Sequence, residues 1–363
     1  MSTTEGPLVE LVETEGPGFR QAQSPERAPQ RDLTAEAARP DFGATAWWAS
    51  RGDHGREGPG SSLREPGTAG DGHGPKPGEA AGRAPAPMGE LALVISEHGG
   101  RSFASHQFHR GALRVLRPHY LDDSGQVCYV VVNPGGAYLG ADLYVLDVEV
   151  GDGADLLLTT QSATKIYRTP ESFAEQRMTV RLREGSRLEL APDQVIAYRE
   201  ASYRQNTHIT VRPTSSLVMA EVITPGWSPD GASFRYEELR LRNEIHVQTD
   251  GGTRLLALDN LLIRPPLDDV TGTGFMEGYS HLGSLVVADA RVDQALADEL
   301  HQLAEKIDAY TGISLSATMD GITALVLRSL SNSTEKLNTL LGGCSGLLRQ
   351  RWYGQAPLNL RKY

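Results

Sequence analysis

Ser162 and Lys165 stand at the spacing S-x-x-K, in which a lysine one helical turn from a serine can take its proton and make the hydroxyl a nucleophile. That chemistry needs the serine at the start of a helix, but Ser162 follows Leu156-Leu157-Leu158-Thr159-Thr160-Gln161, a strand pattern. The supporting S-D-N and K-T-G motifs are absent from the chain. Gly342-Gly343-Cys344-Ser345-Gly346 fits G-x-C-x-G, a cysteine form of the nucleophile elbow, which requires a strand entering and a helix leaving. The residues before it are helical in pattern, so Cys344 reads as a small buried apolar side chain. His106, His109 and His119 are the only histidines close enough in sequence to suggest a metal site. On a strand, residues three apart face opposite sides, so these read as surface histidines. The acid pairs Asp122–Asp123 and Asp268–Asp269 flank turns, where carboxylates serve local hydrogen bonds. No G-x-x-x-x-G-K-[ST] loop is present to hold a nucleotide.

The elements that must position these residues are mainly strands. From Val127 onward period-two alternation dominates, punctuated by Gly, Pro, Asp and Asn. In residues 143–150, Tyr144, Leu146, Val148 and Val150 share a face, with Asp147 and Glu149 opposite. A strand, turn, strand unit then recurs, with first-strand anchors at Val148, Val180, Ile209 and Ile245 and second-strand residues at Leu156, Leu188, Leu217 and Leu255. The predicted fold is therefore mainly β, with stacked, helix-like layers of sheet too unevenly spaced for a strict solenoid. Two α-helices are predicted near the C-terminus. Over 292–310, Leu296, Leu300, Leu303 and Ile307 form one stripe stopped by Thr311–Gly312. Over 333–352, Asn332 and Glu335 form a capping box. Between them, two short strands turn at Asp320–Gly321.

Residues 1–87 are different in kind. Glycine and proline fill 25 of those 87 positions against only eight Leu, Ile, Val or Phe, too little apolar surface to offset the entropy of ordering. They are expected to be a disordered low-complexity leader with Trp47–Trp48 as an isolated apolar spot, leaving 88–363 as the β-rich domain. With 35 Lys and Arg against 46 Asp and Glu, the chain has no basic character to recruit nucleic acid or an anionic membrane. Two cysteines cannot form a disulfide framework, and neither a signal-peptide pattern nor a long apolar run is present, so a cytoplasmic protein is expected.

Two stretches are too particular for generic β sequence: Asn133-Pro134-Gly135-Gly136 with Gly140 and Asp142, and Thr159-Thr160-Gln161 with Thr164, Lys165, Tyr167 and Arg168. They resemble the N-P-x-G-G-x-x-x-G-D and L-T-T-Q-x-x-x-K-x-Y-R elements of the urease accessory protein UreD (UreH) family, and the likeness covers roughly residues 110–363. Two departures stand out. The family usually has two glycines and an acid where this chain has Gly140-Ala141-Asp142. A family segment of the type G-R-x-x-x-G-E is replaced by Pro225-Gly226-Trp227-Ser228-Pro229-Asp230-Gly231-Ala232.

The resemblance implies a strand-rich, non-enzymatic scaffold that works with UreF and the GTPase UreG on the urease apoprotein to support nickel insertion. It implies no tightly bound cofactor, and nickel as transient cargo passing weak oxygen ligands in an internal channel. Asp142, Gln161, Lys165 and Arg168 are then the candidates for a channel wall or partner surface. Asn133, Gly135, Gly136, Gly140, Thr160 and Tyr167 are the structural part of the motifs. The competing readings are a hydrolase built on Ser162 or Cys344, and a β-rich binding module unrelated to urease.

Overall fold

The computed structural model describes residues 86–360. The expected leader therefore lies outside the described residues except for Ala86 and Pro87, as does the Trp47–Trp48 pair. Among the described residues the strands form two sheets. The first holds β1 (Gly89–His98), β2 (Arg101–Gly111), β5 (Leu143–Val150), β8 (Ala174–Leu182), β11 (Ser202–Val211), β13 (Glu238–Thr249) and β14 (Gly252–Ile263). The second holds β3 (Arg114–Val115), β4 (Val127–Val132), β6 (Asp155–Thr160), β7 (Thr164–Ile166), β9 (Arg187–Ala191), β10 (Val195–Ala197), β12 (Ser216–Ile223), β15 (His281–Asp289), β16 (Tyr310–Leu315) and β17 (Thr323–Ser331). Helices α1 (Gln294–Ala304) and α2 (Thr334–Tyr353) cover the far side of the second sheet.

The repeat seen in the sequence is a stack of coils. The chain runs along the first sheet, turns a corner, runs along the second and returns, so β5, β8, β11 and β13 are parallel neighbours, as are β6, β9 and β12. The four anchors lie in one ladder row: Val148 pairs with Val180, Val180 with Ile209 and Ile209 with Ile245, and Leu93 of β1 extends the row. All five side chains are essentially inaccessible to solvent. In the second sheet Leu156, Leu188 and Leu217 align in the same way. The uneven spacing of 32, 29 and 36 residues between anchors is absorbed in the return loops, so the register of the stacked strands is kept.

The fourth copy breaks the pattern. After Ile245 and Val247 the chain folds back as an antiparallel hairpin in the same sheet, so Leu255 lies on β14 and is exposed instead of crossing to the second sheet. The place beside β12 is taken by antiparallel β15.

Two apolar clusters result, one between the sheets and one between the second sheet and the helices. The helices differ from expectation at their ends. Asp293 caps α1 through its carboxylate on the Leu296 N–H, and the helix stops at Ala304, well before Thr311–Gly312. Ile307 still packs on the helix-side cluster, but Tyr310–Leu315 is drawn into the sheet as β16 against β17, since ladder pairing outweighs the local helical pattern. The cap of α2 is Ser333, which accepts the Lys336 N–H, not Asn332, whose side chain accepts from Ser280 N–H. The Asp320–Gly321 turn is present, with φ values of 52° and 82°.

Candidate functional site

The two signature stretches meet at one corner of the stack. Tyr138 forms a parallel bridge to Ile166, its N–H donating to the Lys165 carbonyl at 2.8 Å and its carbonyl accepting from Tyr167 N–H at 2.9 Å. Asn133 opens the first stretch as a turn: its carbonyl accepts from Gly136 N–H and its Oδ1 from Gly135 N–H, with Gly136 at φ 78°. Gly140 lies so close under Thr169 that an added Cβ would sit 3.3 Å from the threonine Cα. Asp142 is buried, and its Oδ2 accepts from Leu139 N–H at 2.8 Å and from the Tyr144 hydroxyl at 3.3 Å. Between Gly140 and Asp142, Ala141 holds φ 66°, a left-handed conformation that glycine adopts without strain.

In the second stretch the side chains divide. Thr160 Oγ1 accepts from Asp193 N–H at 2.8 Å and faces inward with Thr164. Gln161 and Ser162 are exposed in the bend after β6, so Ser162 begins no helix, and Lys165 is half-buried on β7. Arg168 lies on the surface, 2.5 Å from Glu200. Tyr167 stands edge-on to Tyr198, which in turn packs against Trp227 of the altered 225–232 segment. Cys344 is wholly buried on α2, where burial pushes its thiol up to about 12 and keeps it protonated.

Inward of this corner the core changes character. A cavity of about 60 Å³ lies between the sheets, lined on its polar side by Tyr138, Thr160, Gln176, Asp193, Gln205, Thr207 and Glu221. Tyr138 donates to Gln176 Oε1 at 2.8 Å, and its ring stacks on Tyr144 with 3.7 Å between centroids. Tyr203 donates to Gln205 Oε1 at 3.1 Å. Gln205 Nε2 donates to Glu221 Oε1 at 2.5 Å, and Asn243 Nδ2 to Glu221 Oε2 at 2.7 Å. Burial raises the Glu221 carboxyl above its ordinary range, since its nearest partners are uncharged amides that compensate only in part. Beyond it Asp259 accepts from Ser284 and pairs with Arg328.

A wider groove of about 850 Å³ lies on the helix side of the second sheet, beneath α2 and the terminal segment that includes Asn359. Leu190, Pro192, Asp193, Glu221 and Val222 border both spaces, so cavity and groove meet across the second sheet at β12 and the end of β9. Deeper on that side, Arg349 of α2 donates to Glu189 Oε1 at 2.5 Å and to Gln126 Oε1 at 2.9 Å, and pairs with Asp122.

Of the residues singled out in the sequence, Thr160 lines the cavity. Asp142 supports the turn beside it, and Gln161, Lys165 and Arg168 lie toward the outside of the same corner. Glu221, Gln205, Gln176 and Asn243 escaped notice because each looks like an ordinary alternating strand position. Their signal is register: with the anchors aligned, Gln176, Gln205 and Leu241 share one row and Met178, Thr207 and Asn243 the next, so polar residues recur at inward-facing positions.

Comparison with known proteins bears on what this corner serves. Residues 88–362 match the family model described as UreD urease accessory protein. The chain is 81% identical to the Urease accessory protein UreD of Arthrobacter sp. (strain FB24) over 277 residues, covering 76% of this chain and 94% of that protein. It is 75% identical to the protein of that name from Paenarthrobacter aurescens (strain TC1), over 76% of this chain and 95% of the relative. It is 32% identical to the one from Staphylococcus aureus (strain bovine RF122 / ET3-1), over 76% and 98%.

Proposed function

The chain belongs to the UreD urease accessory protein family, and we propose that it serves urease maturation as a scaffold that passes nickel to the apoprotein in a complex with UreF and the GTPase UreG. In this reading it is not an enzyme and holds no resident cofactor; nickel is its cargo. The observation that carries the proposal is the shared boundary at Asp193 and Glu221, where an inter-sheet cavity with polar groups along one side of an otherwise apolar lining adjoins a large groove. A conduit for a divalent ion needs oxygen ligands that bind weakly enough to release it. Glu221, with amide partners instead of a cation, offers a carboxylate of that kind. Gln161, Lys165 and Arg168, on the outside of the corner, suit a partner surface; Asp142 suits the turn.

The test is the nickel content of urease matured in cells carrying Glu221→Gln, with accessory protein level and fold verified. The conduit reading expects urease protein at normal level with less nickel per active site. Unchanged nickel in Glu221→Gln and Asp193→Asn together would overturn it. No helix among the described residues is long and apolar enough to cross a membrane, and we take the chain to act in the cytoplasm.

A further inference from the structure

The face of the first sheet turned away from the cavity carries a second constellation. His208 on β11 stands in register with Glu244 on β13, and His246 lies two residues further along β13 on the same face. Their ligand atoms all lie within 4.8 Å of one another. Glu244 Oε2 is 3.7 Å from His208 Nδ1 and 3.9 Å from His246 Nε2, too far for a hydrogen bond to either. Two ligands bound tetrahedrally to a common ion at the usual metal–nitrogen length are roughly 3.4 Å apart. The carboxylate therefore stands within a few tenths of an ångström of the separation it would have from each imidazole on a shared ion, and the two imidazoles, within 4.8 Å of each other, close the set by side-chain rotation.

The surroundings favour that geometry. Arg242 occupies the other oxygen of Glu244 at 2.6 Å and fixes the carboxylate, leaving Oε2 turned to the imidazoles. The neighbouring Arg181 is held by Asp147 at 2.6 Å. A bulge in the β13–β14 ladder falls between Ile245 and His246, the kind of irregularity that re-aims a side chain. The Nδ1 atom of His246 is buried without a hydrogen-bond partner, so Nε2 is the nitrogen that can reach an ion. Side-chain exposures of 37% for His208, 16% for Glu244 and 15% for His246 leave the site partly sheltered yet open on one side.

We propose that His208 Nδ1, Glu244 Oε2 and His246 Nε2 form a surface site for a divalent first-row transition ion, with water completing the coordination. Two imidazoles and one carboxylate suit nickel, zinc or cobalt better than magnesium or calcium, and open positions make the ion exchangeable. The site lies on the opposite face of the sheet from the cavity and does not depend on the conduit reading.

The experiment uses the untagged full chain, titrated calorimetrically with nickel chloride and, separately, zinc chloride. X-ray absorption of the nickel-loaded protein follows. Wild type is expected to hold one ion with two-imidazole scattering that is lost in His208→Gln/His246→Gln. Glu244→Gln is expected to bind roughly tenfold or more weakly. His301→Ala, at an exposed histidine on α1, is expected to bind as wild type. Circular dichroism confirms that each variant is folded, and Glu244→Gln serves alone if the double variant is not. Equal binding by wild type and the Glu244→Gln and double variants, or an equal loss in His301→Ala, would overturn the site. Normal nickel binding here alongside unchanged urease nickel in Glu221→Gln would separate this site's success from the conduit's failure.

Discussion

Glu189 and Glu221 are both buried on strands of the second sheet, yet they lie on opposite sides of it and in opposite company. Glu189 faces the helices, 2.5 Å from Arg349 and 3.4 Å from Arg187, two guanidinium groups that are themselves almost wholly buried. Glu221 faces the first sheet and is held by two amides. A carboxylate clamped by buried arginines is committed: its charge is matched, and removing a partner strands the rest. A carboxylate held by amides keeps its acceptor geometry without a matched charge, so a proton or a cation can still change its state. One side of the sheet matches its buried charge with guanidinium groups, and the other holds its carboxylate with amides alone.

Of the groups around these two carboxylates, Arg349 carries the largest expected effect. Arg349→Ala leaves Glu189 and Asp122 without their principal cation and is expected to lower stability by about 3–5 kcal/mol in urea unfolding. Replacing Arg349 and Glu189 together by methionine is expected to recover part of that loss. A single-variant loss below about 1 kcal/mol would mean that the helix-side cluster does not hold α2 to the sheet.

Asp142 offers a third kind of company, a backbone N–H. Asp142→Ala is expected to cost about 1–3 kcal/mol by leaving Leu139 N–H unpaired, whereas Asp142→Asn, which keeps the acceptor, is expected to cost much less. Equal losses would place the importance of Asp142 in its charge.

Glu221→Gln is expected to stabilise the fold by less than these losses, and only at neutral pH. Because the folded carboxyl has a raised pKa, the unfolded chain gives up its proton first as pH rises. Glu221 therefore lowers stability through and above the ordinary glutamate range and has no such effect once both states are protonated in acid. The new amide can be met by Asn243, whose buried Oδ1 has no partner and can turn to accept from it. Urea midpoints at neutral and acid pH check the sign, and a gain that persists in acid would point to packing instead.

The smallest effect lies in the turn beside Asp142. Ala141→Gly relieves a left-handed backbone and is expected to raise stability by about 1 kcal/mol, read as a higher melting temperature.

Much of the stack was legible because its apolar residues repeat. Val148, Val180, Ile209 and Ile245 could be picked out in the sequence and share one ladder row. The fourth unit misled because Gly251–Gly252 looks like the earlier corners, and whether such a turn crosses between sheets or folds back depends on which neighbour is free to pair. For β14 that neighbour is β13. The polar lining and the His208–Glu244–His246 cluster were not found because their members are far apart in sequence. Yet the 36-residue offset that superposes Ile209 on Ile245 also superposes His208 on Glu244. Motif residues such as Gln161 and Arg168 were legible as types but not as positions, since a short return loop has no periodicity from which to read a facing.

Parallel coils piled by repetition have no inherent length, and an unguarded end would accept a coil from another molecule. Both ends of the first sheet avoid this in the same way. The outermost pairs, β1 with β2 and β13 with β14, are antiparallel hairpins, and each carries a bulge, between Val94 and Ile95 at one end and between Ile245 and His246 at the other. The reversal of direction breaks the parallel repeat of the coils, and the bulges spoil the flat register that strand addition needs. Along the first sheet, growth of the pile is thus opposed by its own bulged edges.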